Sequence, residues 1–204
     1  MHYQYVIAAV LGYLLGCSNL AWYISKFKGV DISSKGSGNL GTSNAVILMG
    51  WKIGVLVGIH DIGKSIVAIL LAKFLFPEVP YIAEITGVAA VLGHIFPFYR
   101  KFRGGKGFAA FIGMSIALNW KFAVVIVAVI VLVTIVFDYL VIGTTVTVIS
   151  LPAYLAFTEG WIAAVIILVA TAMIIIKHRE NYIRIYNRTE IGLKSTLKGE
   201  HREK

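Results

Sequence analysis

"GIHDIGKS", residues 58–65, matches the phosphate-loop pattern G-x-x-x-x-G-K-[ST] at every position. Read that way, the chain would be a soluble α/β nucleotide hydrolase, with Lys64 reaching the phosphates and Ser65 holding magnesium. A phosphate loop of that kind leaves a buried strand and opens a helix within a βαβ unit. The thirteen residues before this stretch, AVILMGWKIGVLV (45–57), continue into an apolar run that ends only at residue 76. No strand-turn-helix alternation surrounds them. The stretch reads as the polar middle of a membrane helix, and the nucleotide reading falls with it. On a helix, Asp61 and Lys64 stand at i, i+3, close enough to pair and so lower the cost of two charges in hydrocarbon.

Composition supports the membrane reading. Of 204 residues, 58% are hydrophobic and 14% charged, too apolar for a soluble domain that must clothe its outside in polar groups. Apolar stretches fall near 4–24, 45–76, 79–98, 107–119, 121–137, 139–158 and 160–176. Each crossing needs about 20 apolar residues. The first lacks a cleavage-site pattern and reads as an uncleaved helix. Residues 45–76 are too long for one crossing and predict a short or broken helix beside a full one. Residues 107–119 are short for a full crossing.

Positive charge fixes the expected orientation. Lys26, Lys28 and Lys35 lie in one connection, Arg100, Lys101, Arg103 and Lys106 in another, and the tail 177–204 carries eight Lys/Arg against four Glu, a net +4. The positive-inside rule puts all three on the cytoplasmic side. The expectation is an all-α polytopic bundle of about seven transmembrane helices, N-terminus outside and C-terminus cytoplasmic. Residues 1–204 form a single domain in this reading, with 177–204 a basic tail that touches anionic lipid. The tail lacks the aromatic interleaving of a single-strand nucleic-acid binder. One cysteine and five scattered histidines predict no disulfide and no metal centre.

Three polar segments interrupt the apolar pattern. DISSKGSGNLGTSN (31–44) places Gly36, Gly38 and Gly41 among Ser37, Asn39 and Asn44, a composition that builds anion-binding nests. FRGGKG (102–107) joins Gly104, Gly105 and Gly107 to Lys106 just before a helix, whose N-terminal dipole favours phosphate. KHRENYIRIYNRTE (177–190) sets His178, Asn181 and Arg184 at i, i+3, i+6, one face if the chain stays helical. A histidine there can take a proton and an asparagine can orient a substrate oxygen. A phosphate-friendly face on a greasy bundle predicts substrates with an anionic head, an apolar tail, or one of each. A small anion or lipid transporter fits less well. No internal repeat is found, and the polar segments share one face rather than the midplane.

At these residues the chain resembles the bacterial membrane acyl-phosphate:glycerol-3-phosphate acyltransferases, the PlsY family. The motifs GSGNLGTSN (36–44), GHIFPFYRKFRGGKGFA (93–109) and HRENYIRIYNRTE (178–190) occur in that order, with ISKFKGVDI at 24–32. The resemblance implies a seven-helix bundle in the bacterial inner membrane, working as a monomer with its active site on the cytoplasmic face. It implies acyl transfer from acyl phosphate to the first hydroxyl of glycerol 3-phosphate, giving lysophosphatidic acid without metal, nucleotide or other cofactor. Ser37, His178 and Asn181 are then the catalytic residues. Gly36, Gly38, Asn39, Asn44, Gly104, Gly105, Lys106 and Gly107 hold phosphate, and Asp61, Lys64 and Glu190 are structural.

The chain departs from the family pattern at Ile47, where arginine is usual, at Ser65 and Arg188, where glycine is usual, and at Ala110, which lacks a hydroxyl. Lys35 or Arg188 is a candidate replacement for the missing cation. An arginine at 188 is expected to exclude the strained backbone that glycine permits. A relative with altered acceptor or lost catalysis is the alternative these departures raise.

Overall fold

The computed structural model describes residues 2–198, and every regular element among them is helical. The helices are α1 (His2–Cys17), α2 (Leu20–Phe27), α3 (Thr42–Met49), α4 (Trp51–Leu75), α5 (Ile82–Ile95), α6 (Phe108–Leu118), α7 (Trp120–Phe137), α8 (Leu140–Thr158), α9 (Trp161–Lys177), α10 (Arg179–Tyr186) and α11 (Leu193–Lys198), with a 3-10 turn at Phe98–Arg100. Residues 199–204 of the basic tail lie outside the described residues.

Among the described residues, five segments are long and apolar enough to cross a bilayer: His2–Phe27, Trp51–Leu75, Ile82–Arg100, Trp120–Phe137 and Leu140–Thr158. The pair α9 and α10, bent by 45°, makes a sixth if taken as one span. A count of seven needs α6, whose 11 residues reach only about 16 Å of a hydrocarbon layer about 30 Å thick. The long apolar run 45–76 is divided, as its length required. Gly50, at φ 89°, separates α3 from α4, and α3 folds back so closely that a Cβ on Gly54 would strike Val46. The opening stretch 58–65 lies wholly inside α4.

The chain divides into two compact units at Trp120/Lys121. In the first, α1 and α5 meet backbone to backbone. A Cβ on Gly12, Gly16 or Gly93 would collide with the carbonyls of Thr86, Ala90 or Tyr13. Lipid gives apolar side chains little reason to prefer each other, so small residues that permit close backbone contact hold such helices together. Asn19 caps α2 by accepting from Trp22 N at 2.8 Å and donates its amide to Leu40 O at 3.0 Å, which ties the glycine-rich loop to the helix start.

In the second unit, Thr171 Oγ1 donates to Val148 O at 2.8 Å between α9 and α8, and Phe122 stacks on Tyr154 at 4.1 Å. Asp138, at the α7–α8 junction, anchors the segment before α11. Its carbonyl accepts from Leu193 N at 2.7 Å and its carboxylate from Lys194 N at 2.8 Å. Gly192 is required there because a Cβ would fall on that carboxylate.

Candidate active site

The first polar segment is organised by Asn44, at the start of α3 and fully buried. Its Oδ1 accepts from Ser37 N at 2.9 Å, and its Nδ2 donates to Ile32 O at 3.0 Å and Lys35 O at 3.1 Å. Asn44 is therefore a clasp that folds residues 32–37 into a ring. Both ends of the amide of Asn44, expected to hold phosphate, are engaged within the loop. Gly36 (φ 61°) has to be glycine, since a Cβ would overlap Asn44 Oδ1. Gly38 (φ 66°) gives its N–H to Lys35 O at 3.0 Å. Ser37 is exposed and Asn39 half-buried. Asp31 accepts from Ser33 Oγ at 2.6 Å and Ser33 N at 3.1 Å, and these bonds hold its carboxyl at about 2, below the usual carboxylate range.

The GGKG loop is seated on the end of α5. Gly104 N donates to Ile95 O at 3.0 Å and Gly105 N to His94 O at 3.1 Å. A Cβ on Gly104 would strike His94 O, and one on Gly105 would fall on the His94 ring. These two glycines thus serve close packing of the loop. Their N–H groups, expected to hold phosphate, are already donated to protein carbonyls. Next to them stand half-buried Lys106, Gly107 at φ 91°, and the start of α6, whose first N–H groups have no intrahelical acceptor. Ala110 is fully buried in α6.

Beneath the loop lies a buried polar cluster. Lys64 Nζ is 2.9 Å from Asp61 Oδ1, 2.8 Å from His94 Nδ1, and donates to Ser18 O at 2.7 Å. The helical i, i+3 ion pair expected from spacing is thus formed. His94 Nδ1 faces both Lys64 Nζ and, at 3.4 Å, Asp61 Oδ1, and the Nε2 edge of its ring faces Gly105. His60 closes the cluster with Nε2 3.0 Å from Ser18 Oγ. Sequence reasoning missed His94 as a member. Its only signal was its place eleven residues before Gly105 in the second motif, and helix packing alone brings it to Lys64.

In the second unit, His178 stands at the 45° bend between α9 and α10. The chain is not one straight helix there, so the expected i, i+3, i+6 face is bent at its first member. His178 is buried, and its Nδ1 lies 2.8 Å from Ile174 O. A carbonyl only accepts, so Nδ1 bears the proton of the neutral ring and Nε2 is its basic nitrogen. Glu190 bridges the segment. Asn181 Nδ2 donates to Glu190 Oε1 at 2.7 Å and Arg184 Nε to Glu190 Oε2 at 2.6 Å. Arg188 takes φ 58°, which corrects the expectation that an arginine there excludes left-handed backbone. It accepts the strain, and its N–H bonds Ile185 O at 3.0 Å.

The loops of the first unit also line a cavity of about 410 Å³, between Ser33 and Gly38 on one side and Tyr99 to Gly104 on the other. Among the described residues no group of three or more His, Cys, Asp or Glu side chains is arranged to hold a metal ion.

Comparison with known proteins agrees with these motifs. The glycerol-3-phosphate acyltransferase family model matches residues 6–188. Glycerol-3-phosphate acyltransferase 1 of Oceanobacillus iheyensis is 36% identical over 198 residues, covering 94% of this chain and 96% of that protein. The glycerol-3-phosphate acyltransferase of Clostridioides difficile is 32% identical, covering 92% and 95%. A crystal structure of PlsY (YgiH), an integral membrane glycerol 3-phosphate acyltransferase in its glycerol 3-phosphate form, aligns with TM-score 0.86 at 31% identity, over 95% of this chain and 97% of that one. Its lysophosphatidic acid form aligns with TM-score 0.82 at 32% identity, over 92% and 94%.

Proposed function

The chain belongs to the glycerol-3-phosphate acyltransferase family, and from that premise we propose the donor, the residue roles and the membrane setting of its reaction. It is a membrane acyltransferase that acylates glycerol 3-phosphate in phospholipid synthesis. The proposed donor is acyl phosphate, whose phosphate is already a good leaving group. Catalysis then needs mainly positioning and stabilisation of charge.

In this reading Lys106, Gly107 and the start of α6 hold the phosphate of glycerol 3-phosphate. His178 removes the proton from the sn-1 hydroxyl as its oxygen attacks the acyl carbonyl. Asn181 orients that hydroxyl, and Ser37 donates a hydrogen bond to the developing oxyanion. The tetrahedral adduct expels phosphate, leaving lysophosphatidic acid. Glu190 keeps Asn181 in place, and the Asp61–Lys64–His94 cluster keeps the GGKG loop in place. Gly36, Gly38 and Asn39 shape the first loop against substrate. The carrying observation is the hydrogen bond from His178 Nδ1 to Ile174 O, which leaves Nε2 as the ring's base.

The proposed setting is the bacterial inner membrane, with seven crossings that include α6, the N-terminus outside and the active site cytoplasmic. The basic connections 26–35 and 100–106 and the basic tail support that orientation. A monomer is proposed with it. No cofactor is assigned a role.

The test uses purified full-length protein with palmitoyl phosphate and glycerol 3-phosphate, and measures phosphate release and lysophosphatidic acid. Release that requires both substrates and is lost in Lys106→Ala is expected. Release no greater than in Lys106→Ala would overturn the reading.

A further inference from the structure

We propose that α8 sets the position of His178 through two hydrogen bonds that bracket it in the chain. Thr171, seven residues before it, donates from Oγ1 to Val148 O, and Tyr182, four residues after it, bonds from Oη to Thr145 Oγ1. Thr171 and Tyr182 are then positioning residues for the transfer, and the inference rests on the reading of His178 as the base.

The first bond answers a proline. Pro152 stands buried in the interior of α8. In an α-helix the carbonyl of residue 148 accepts from the N–H of residue 152, and proline has no N–H to give. Val148 is fully buried, and a carbonyl without a donor is costly where water is excluded. Thr171 Oγ1 of α9 supplies the donor at 2.8 Å. The proline thus turns a carbonyl of α8 outward as an acceptor for the neighbouring helix.

Thr171 departs from the habit of the other helical hydroxyls. Thr86, Ser115, Thr145 and Thr147 each bond back to the carbonyl four residues earlier, at 2.6 to 2.9 Å. Thr171 spends its one proton on α8 instead. The buried residues of α9 are Ala163, Ala164, Ile167, Ala170, Thr171 and Ile174, so Thr171 is the one hydrogen-bonding side chain in that stripe. Apolar packing is non-directional, and a stripe of Ala and Ile resists rotation or sliding of α9 only weakly. A hydrogen bond is directional and fixes both. Seven residues make nearly two turns and a rise of about 10 Å, so Thr171 and His178 share one face.

The second bond acts beyond the 45° bend, where α10 takes a new direction. Thr145 Oγ1 already donates to Val141 O at 2.8 Å, so toward Tyr182 Oη, 2.7 Å away, it accepts and the tyrosine donates. Thr145 and Val148 stand at i, i+3, so both bonds leave one face of α8. His178 is held between them, with its Nδ1 bonded inside its own helix to Ile174 O. A general base has to lie within hydrogen-bond reach of the proton it takes, and a misplacement of about 1 Å can cost about 10²-fold in rate.

The experiment measures kcat, KM for glycerol 3-phosphate and unfolding temperature on full-length protein in detergent, with palmitoyl phosphate as donor. Thr171→Val keeps the shape and removes the donor. It is expected to lower the unfolding temperature and to lower kcat about tenfold with KM unchanged, while Thr171→Ser retains both. Adding Pro152→Ala to Thr171→Val gives Val148 O a donor within α8. The unfolding temperature is then expected to recover and kcat to stay low, because α8 and α9 are still untied. Recovery of kcat with stability overturns the proposal, since Thr171 would serve only to satisfy a carbonyl. Should Thr171→Val fail to fold, Tyr182→Phe carries the test, and an unchanged kcat in it overturns the proposal. In a His178→Ala background Thr171→Val is expected to cost no further activity, and a further tenfold loss overturns the proposal. Undiminished kcat in His178→Ala alone overturns the base reading instead, while the effect of Pro152→Ala on unfolding temperature still reports whether Thr171 serves Val148 O.

Discussion

Lys64 Nζ lies 2.8 Å from His94 Nδ1, with both side chains buried and Asp61 completing the cluster 2.9 Å from the same ammonium. This contact connects α4 to the end of α5, and through the His94 ring to Gly105. A charge placed in the middle of an apolar helix is tolerated because it is paired, and the pair also fixes the loop above it.

Removing one partner leaves the other charged and buried. Lys64→Met is expected to destabilise by about 3–5 kcal/mol, and Asp61→Asn combined with Lys64→Met by less than the sum of the single changes. Thermal unfolding in detergent of the two singles and the double measures this. Strict additivity would show that the contact is energetically idle.

His94 acts on the loop rather than on substrate. His94→Asn keeps an acceptor for Lys64 but shortens the side chain that Gly105 rests on. It is expected to raise KM for glycerol 3-phosphate roughly tenfold or more, about 1.4 kcal/mol, with kcat changed much less. Gly105→Ala, which drives a methyl into the ring, should raise the same KM further. A fall in kcat at constant KM would place His94 in the chemistry instead.

His178→Ala removes the proposed general base. A drop in kcat of about 10²–10⁴-fold at saturating substrates is expected, with little change in unfolding temperature. The low-pH limb of kcat/KM should also disappear in the variant, because the imidazolium cannot accept the proton. An unaltered pH profile would instead assign the base to the leaving phosphate.

Glu190→Ala frees two donors at once, Asn181 Nδ2 and Arg184 Nε. Activity and stability should both fall, the latter by about 1–3 kcal/mol. Glu190→Gln, which can still accept on one oxygen, is expected to retain more of each.

Arg188→Gly relieves a left-handed residue. The substitution is expected to stabilise by about 1 kcal/mol, read as a rise in unfolding temperature, and to leave kcat unaltered. A loss of stability would mean that the arginine side chain contributes more than its backbone strain costs.

The membrane class, the all-helical fold, the division of residues 45–76 and the three polar segments were legible in the chain itself. Each depends on local properties: apolar length against bilayer thickness, charge on the connections, and glycine where the backbone must bend. The Asp61–Lys64 pair was legible for the same reason, since helix geometry alone joins i to i+3. That Asn44 clasps Ser37, Ile32 and Lys35 was not legible, because composition shows that a loop is polar but not which of its groups bond one another. Nor does the motif reveal that the N–H groups of Gly104 and Gly105 close on Ile95 and His94. His94 at Lys64, Arg100 over Trp22, and Asp138 holding Leu193 and Lys194 join residues 30, 78 and about 55 positions apart. Such contacts exist only once helices have packed, because pairing distant residues is a property of the three-dimensional arrangement and leaves no periodic trace along the chain.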